Sequence, residues 1–171
     1  MRRALIGIGI LTAACSGQPF SPASPSGVAG GGAHTQARGP IEVTFTKWGT
    51  GLSLPTHTGF AEGDVPGAFT ATVLGRNPFE NGTIVQLEAR YEVAADHPEH
   101  SFKALIEGNL NNQTRKAVLN GTVIDGWLVG AQVQVTFDVL VPAPGTSCVP
   151  AAPPDKNCFQ GTIRIMPGPT N

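Results

Sequence analysis

The sequence predicts an all-β fold: a single small antiparallel β-barrel of seven or eight strands, with a two-sheet β-sandwich as the alternative. Three observations carry this reading. Apolar residues recur with period two along seven segments, no window shows a capped helical period, and turn-forming residues fall between the segments.

The segments are taken in chain order. Segment 41–46 sets Ile41, Val43 and Phe45 against Glu42, Thr44 and Thr46. Segment 69–76 sets Phe69, Ala71 and Val73 against Thr70, Thr72 and Arg76. In 83–94, Val85, Leu87, Ala89, Tyr91 and Val93 oppose Gln86, Glu88, Arg90 and Glu92. Segment 101–110 turns Phe102, Ala104, Ile106 and Leu110 one way, and 115–124 carries Ala117, Leu119 and Val123. The cleanest is 131–141, where Ala131, Val133, Val135, Phe137, Val139 and Val141 oppose Gln132, Gln134, Thr136 and Asp138. Segment 159–165 offers Phe159, Ile163 and Ile165. Such alternation gives each strand one wet face and one core face. Closing a meander of these strands into a barrel would also remove its edges.

Turn chemistry punctuates the pattern. Asp125-Gly126 reads as a two-residue hairpin turn, because both residues tolerate positive φ. Asn81-Gly82 is another turn entry, and Asn109 to Gln113 forms a polar hairpin tip. The long stretch 49–68, with Thr56-His57-Thr58 and Glu62-Gly63-Asp64, reads as an irregular loop and, on length, as the functional one. Asn81-Gly82-Thr83, Asn120-Gly121-Thr122 and Gln160-Gly161-Thr162 recur about forty residues apart, but the match between copies is thin and turn and strand composition explains it better than a repeat does. Gly75, Gly108, Gly121 and Gly161 fall on core-facing phases, where glycine marks a bulge, sharp coiling or room for a small ligand.

Residues 1–14 (MRRALIGIGILTAA) read as an export leader. Arg2 and Arg3 make a positive start, Ala4 to Leu11 a short apolar run, and Ala13-Ala14 a small-residue end. The run is far shorter than the roughly 20 residues a bilayer-spanning helix needs. Followed by Cys15, the stretch resembles the lipobox of bacterial lipoproteins, with Thr12 standing where that motif usually has leucine. The resemblance implies cleavage before Cys15 and acylation of its thiol. That would place the protein outside the cytoplasm, held on an envelope membrane by lipid. An ordinary secretory signal is the alternative. Residues 15–40, rich in Gly, Pro and Ser, lack periodicity and read as a disordered tether. The β domain then occupies 41–167, with a short tail at 168–171.

The chain has three cysteines, an odd number for an exported protein. Acylation of Cys15 leaves Cys148 and Cys158 to pair as a disulfide around a proline-rich loop, worth about 3 kcal/mol at most.

Charge excludes one class of partner. The formal net charge is −1, about −3 once Arg2 and Arg3 leave with the leader, and no basic stripe is present to neutralise phosphates. Nucleic acid is therefore not an expected partner; a protein, carbohydrate or small-molecule ligand is left open.

Catalytic and cofactor motifs are absent from the sequence. Glu88, Glu92, Glu107 and Asp138 fall on wet strand faces, and Tyr91 is nearly the only polar group expected inside. Trp48 and Trp127 could plug the ends of the core or present an aromatic platform to a partner. With Tyr91 they are the candidate contact residues. His97 and His100 in the Asp96–His100 loop, with His57, are weak metal candidates, since Pro98 forbids helical presentation of the pair. The sequence thus supports first a non-catalytic lipid-anchored envelope domain with a binding or structural role. A second reading is a small-molecule-binding barrel, or an isomerase- or cyclase-like enzyme on a barrel of allene-oxide-cyclase or lipocalin type, an architectural comparison only. A metal-binding accessory protein is the third.

Overall fold

Eight strands follow one another along the chain in the computed structural model, which describes residues 39–49, 56–79 and 81–168. The leader, Cys15 and the tether up to residue 38 lie outside the described residues. The strands are β1 (Ile41–Trp48), β2 (Thr56–Gly63), β3 (Gly67–Pro78), β4 (Ile84–Ala95), β5 (Phe102–Asn111), β6 (Lys116–Gly126), β7 (Gln132–Leu140) and β8 (Cys158–Met166). A single 3₁₀ turn at Pro98–His100 joins β4 to β5. Each strand pairs antiparallel with the next, and β8 returns to β1 with Ile41 opposite Ile165 and Trp48 opposite Cys158. The sheet is a closed barrel, so no strand edge is left to pair with another chain.

The period-two pattern has become an inside and an outside. Val43, Phe45, Phe69, Val85, Tyr91, Ile106, Leu119, Val135, Ile163 and Ile165 are among the buried residues that fill the interior. Each large apolar side chain so buried contributes about 1.5–3 kcal/mol. The outer wall is wet and charged, with Glu42, Glu88, Arg90, Glu107, Asp138 and Arg164 all exposed. A membrane-spanning barrel has the reverse arrangement, an apolar band facing lipid. Cross-strand ion pairs on this wall, Lys116–Asp138 at 2.7 Å and Lys103–Asp125 at 3.1 Å, are solvent-exposed and contribute little.

A small barrel needs strongly coiled strands, and inward-facing glycines permit them. A Cβ on Gly121 would stand 1.9 Å from the Leu105 carbonyl oxygen, and one on Gly161 equally close to that of Thr136. Neighbouring backbone already occupies the space a side chain would take. These glycines therefore serve close strand approach, and they open no room for a ligand. Gly75 instead adjoins the register shift between Val73 and Gly75 in the β3–β4 pairing.

Two sequence expectations are corrected. The stretch 49–68 is not one irregular loop, because it contains all of β2 and the start of β3. The inward positions of β2 are His57, Gly59 and Ala61, too weakly apolar to register as alternation. Asp125-Gly126 is not the hairpin turn: both residues still pair with β5, opposite Lys103 and Phe102. The chain reverses one step later, over 127–130, where Leu128 and Gly130 take positive φ and Ala131 N donates to Leu128 O. A register shift between Lys103 and Ala104 absorbs the extra residue. The Asn/Gln-Gly-Thr recurrence falls on unlike local structure, as a coincidence of composition would. Asn81-Gly82 forms a turn, with Gly82 N donating to Phe79 O, whereas Gly121 and Gly161 sit inside strands.

Cys148 and Cys158 are bonded, with Cα atoms 6.2 Å apart. The bond ties the connection between β7 and β8 to the first residue of β8. That loop also binds itself: Gly145 N donates to the Asp155 carboxylate at 2.6 Å, and Asp155 N to Thr146 O at 3.0 Å.

The glycine argument is open to mutation. Gly121→Ala should lower the unfolding free energy by about 2 kcal/mol or more, as overpacking does. Gly168→Ala, with nothing near its Cβ, should stay within about 0.5 kcal/mol of the parent. Denaturant unfolding of the two variants measures both.

Candidate functional site at one end of the barrel

In a meander barrel alternate connections lie at opposite ends. The β2–β3, β4–β5 and β6–β7 connections share one end; β1–β2, β3–β4, β5–β6 and β7–β8 share the other. Lys47 is the last inward position of β1 and His57 the first of β2, so both belong to the second end. Inward phase runs through Ile41, Val43 and Phe45 and then lands on Lys47, which pairs with Gly59 on one side and Phe159 on the other. The alternation that fills the core thus also carries a lysine into it.

Lys47 is 4% exposed. Its Nζ donates to the phenol oxygen of Tyr91 at 2.6 Å. Aromatic rings form the rest of its surroundings: Nζ lies 4.2 Å from the ring centre of Tyr91, 5.1 Å from Phe137, 5.5 Å from Phe159 and 5.7 Å from Phe45. Phe45, Phe69 and Tyr91 pack on one another, with centroids 4.9–5.6 Å apart. No carboxylate pairs with Lys47 among the described residues. Ring faces attract an ammonium, yet they replace only a small part of the hydration it gives up. Burial accordingly pushes the amine down from 10.5 to about 7. The Tyr91 phenol is pushed well above its usual range by the same burial, so it stays protonated.

His57 stands beside this pair. Its ring meets Phe159 edge-on at 5.0 Å, and Phe159 is shared with Lys47. Burial and then the Lys47 charge push His57 down to about 4, which keeps its imidazole neutral. Its Nδ1 is buried and has no hydrogen-bond partner among the described residues. Gly49 lies close to the ring: a Cβ there would come within 2.7 Å of His57 Cδ2. Lys47 and Tyr91 are thus hydrogen-bonded among aromatic rings, and His57 shares the Phe159 ring with Lys47.

Of the candidate residues named from sequence, Tyr91 lies at the centre of this site. Trp48 faces outward on β1, edge-on to Phe60 at 6.1 Å, so it does not plug the core. Trp127 packs against the core at the opposite end and lies 4.4 Å from the His100 ring. His97 and His100 are at that end too, with His97 exposed beside Glu99. His57 is therefore separated from them by the length of the barrel, and the three histidines do not converge on a common point. Among the described residues no three metal-ligating side chains cluster. The alternation read from sequence ends at Thr46, one position short of Lys47. Continuing the phase by one position was the available signal. Comparison with protein families, with characterised proteins and with solved structures finds no match for this chain.

Two outcomes follow for stability. Lys47→Met keeps the stem and removes the buried amine, so it should stabilise the barrel at pH 7 by about 1–3 kcal/mol, read from denaturant unfolding. The second concerns pH. Between about 7 and 10.5 the unfolded chain holds a proton on Lys47 that the folded chain has lost, so stability rises with pH there. His57 acts in the same direction between about 4 and 6.5. Tyr91 acts oppositely above pH 10, where only the unfolded phenol ionises. The unfolding free energy should climb from pH 4 towards 10, by on the order of 4 kcal/mol above pH 7. Lys47→Met should abolish the part of the climb above pH 7.

Proposed function

We propose that this chain is an envelope protein, held outside the cytoplasm by lipid on Cys15, whose barrel binds a small molecule at the end bearing Lys47, Tyr91 and His57. One observation carries the binding reading: Lys47 is buried inside the barrel and, among the described residues, has Tyr91 as its one hydrogen-bond partner and no counter-ion. A methionine would fill the same place at lower cost, so the fold alone gives no reason for an amine there. Beside Lys47, His57 Nδ1 is buried and has no partner among the described residues. Small-molecule sites are commonly lined by aromatic side chains with a few convergent polar groups. The anchor rests on the leader, Cys15 and the tether composition. It also accounts for the odd cysteine left over once Cys148 and Cys158 are bonded.

Two experiments test the parts separately. Native mass spectrometry of the protein purified from its own membranes should find a small organic molecule retained by the wild type and absent from Lys47→Met. Equal mass excess in both, or none in either, would overturn the binding reading. Cys15→Ser should move the protein from the membrane to the soluble fraction. A variant that remains membrane-bound would overturn the anchor.

A further inference from the structure

We infer that Lys47 is an amine nucleophile and that the ligand class of the site is a small, uncharged, apolar carbonyl compound, held as an imine on Nζ. The inference rests on the binding reading above and sharpens it to a chemical class. Three features of the compartment select that class. The groups facing Nζ are the Tyr91 hydroxyl and the rings of Phe45, Phe137 and Phe159, with neutral His57 across Phe159. Among the described residues no carboxylate faces Nζ. Burial leaves a large fraction of it unprotonated at neutral pH, the form that attacks a carbonyl. A carboxylate ligand would have to shed its own hydration to enter the same dry site, whereas an aldehyde or ketone carries no charge to desolvate.

The chemistry balances without a further reactant. The Nζ lone pair attacks the carbonyl carbon, a C–N bond forms, and the carbonyl oxygen takes a proton to become a hydroxyl. Tyr91, hydrogen-bonded to Nζ and kept protonated by its burial, supplies that proton and recovers one from the amine. The carbinolamine then loses its hydroxyl as water and its remaining N–H proton, and C=N is formed. One carbonyl and one amine become one imine and one water, with no change of oxidation state. Hydrolysis reverses the sequence and releases the ligand.

The test uses the whole protein at pH 7, incubated with butanal and reduced with cyanoborohydride, then read by intact mass and peptide mapping. The expected product is one reduced butyl adduct, on Lys47 at least tenfold in excess over Lys103, Lys116 or Lys156. Lys47→Met should lose that adduct, and Tyr91→Phe should slow its formation about tenfold or more and alter its pH profile. Adducts spread over the exposed lysines with none on Lys47 would overturn the imine. If native mass spectrometry still finds a molecule lost in Lys47→Met, that failure belongs to the imine alone and the binding reading stands. A Tyr91→Phe variant that reacts at the parent rate with the parent pH profile would remove Tyr91 from the proton transfers.

Discussion

Closure is the constraint on which the rest of this structure depends. Once β8 pairs with β1, every second residue of every strand must fit inside a narrow cylinder. Apolar side chains satisfy that demand by filling it, and glycines satisfy it by letting backbones approach where a Cβ would collide. A polar side chain on the inward phase has no route to water except past an end. Lys47 is carried inside by this geometry, and its aromatic neighbours leave it one hydrogen bond to Tyr91. The low pKa of its amine is thus a consequence of barrel closure rather than of a special partner.

The same constraint separates the two ends. At one, Trp127 packs on the core beside His100, a wet loop closing an apolar filling. At the other lie Lys47, His57 and the bonded pair Cys148–Cys158, with Cys158 directly opposite Trp48 in the β1–β8 register. The disulfide therefore braces the loop that joins β7 to β8 at the end holding the polar groups. A fold that concentrates its buried polar atoms at one end concentrates its stability cost there too, which is the usual mark of a place kept for function.

Much of this was legible in the residues. The strong strands announced themselves because both faces of the pattern were well populated: Val133, Val135 and Phe137 against Gln134, Thr136 and Asp138 leave no ambiguity. β2 was hidden because its inward side chains are an imidazole, a hydrogen and a methyl, so period two was present in the structure without hydrophobic contrast in the sequence. Asp125-Gly126 misled for a related reason: its dihedral tolerance suits a turn, but a bulge on β6 carried the pairing past it. Sequence reasoning reached Tyr91 and not its partner. A lysine four residues past Val43 reads as solvent-facing unless the phase of the strand is followed to its end, and nothing local reveals that Phe137 and Phe159, ninety and more residues away, will stand around it.

The account turns on the state of a single amine, and it can be observed directly. A carbon- and nitrogen-detected NMR titration of the lysine side chains in the folded protein, with Lys47→Met to assign the resonance, reports the midpoint for Lys47. A midpoint near 7, well below that of Lys103, Lys116 and Lys156, is what an amine enclosed by the barrel requires. A Lys47 that stays charged to pH 10 would contradict the account, because it would place the amine in water or beside an anion and leave the site without its chemistry.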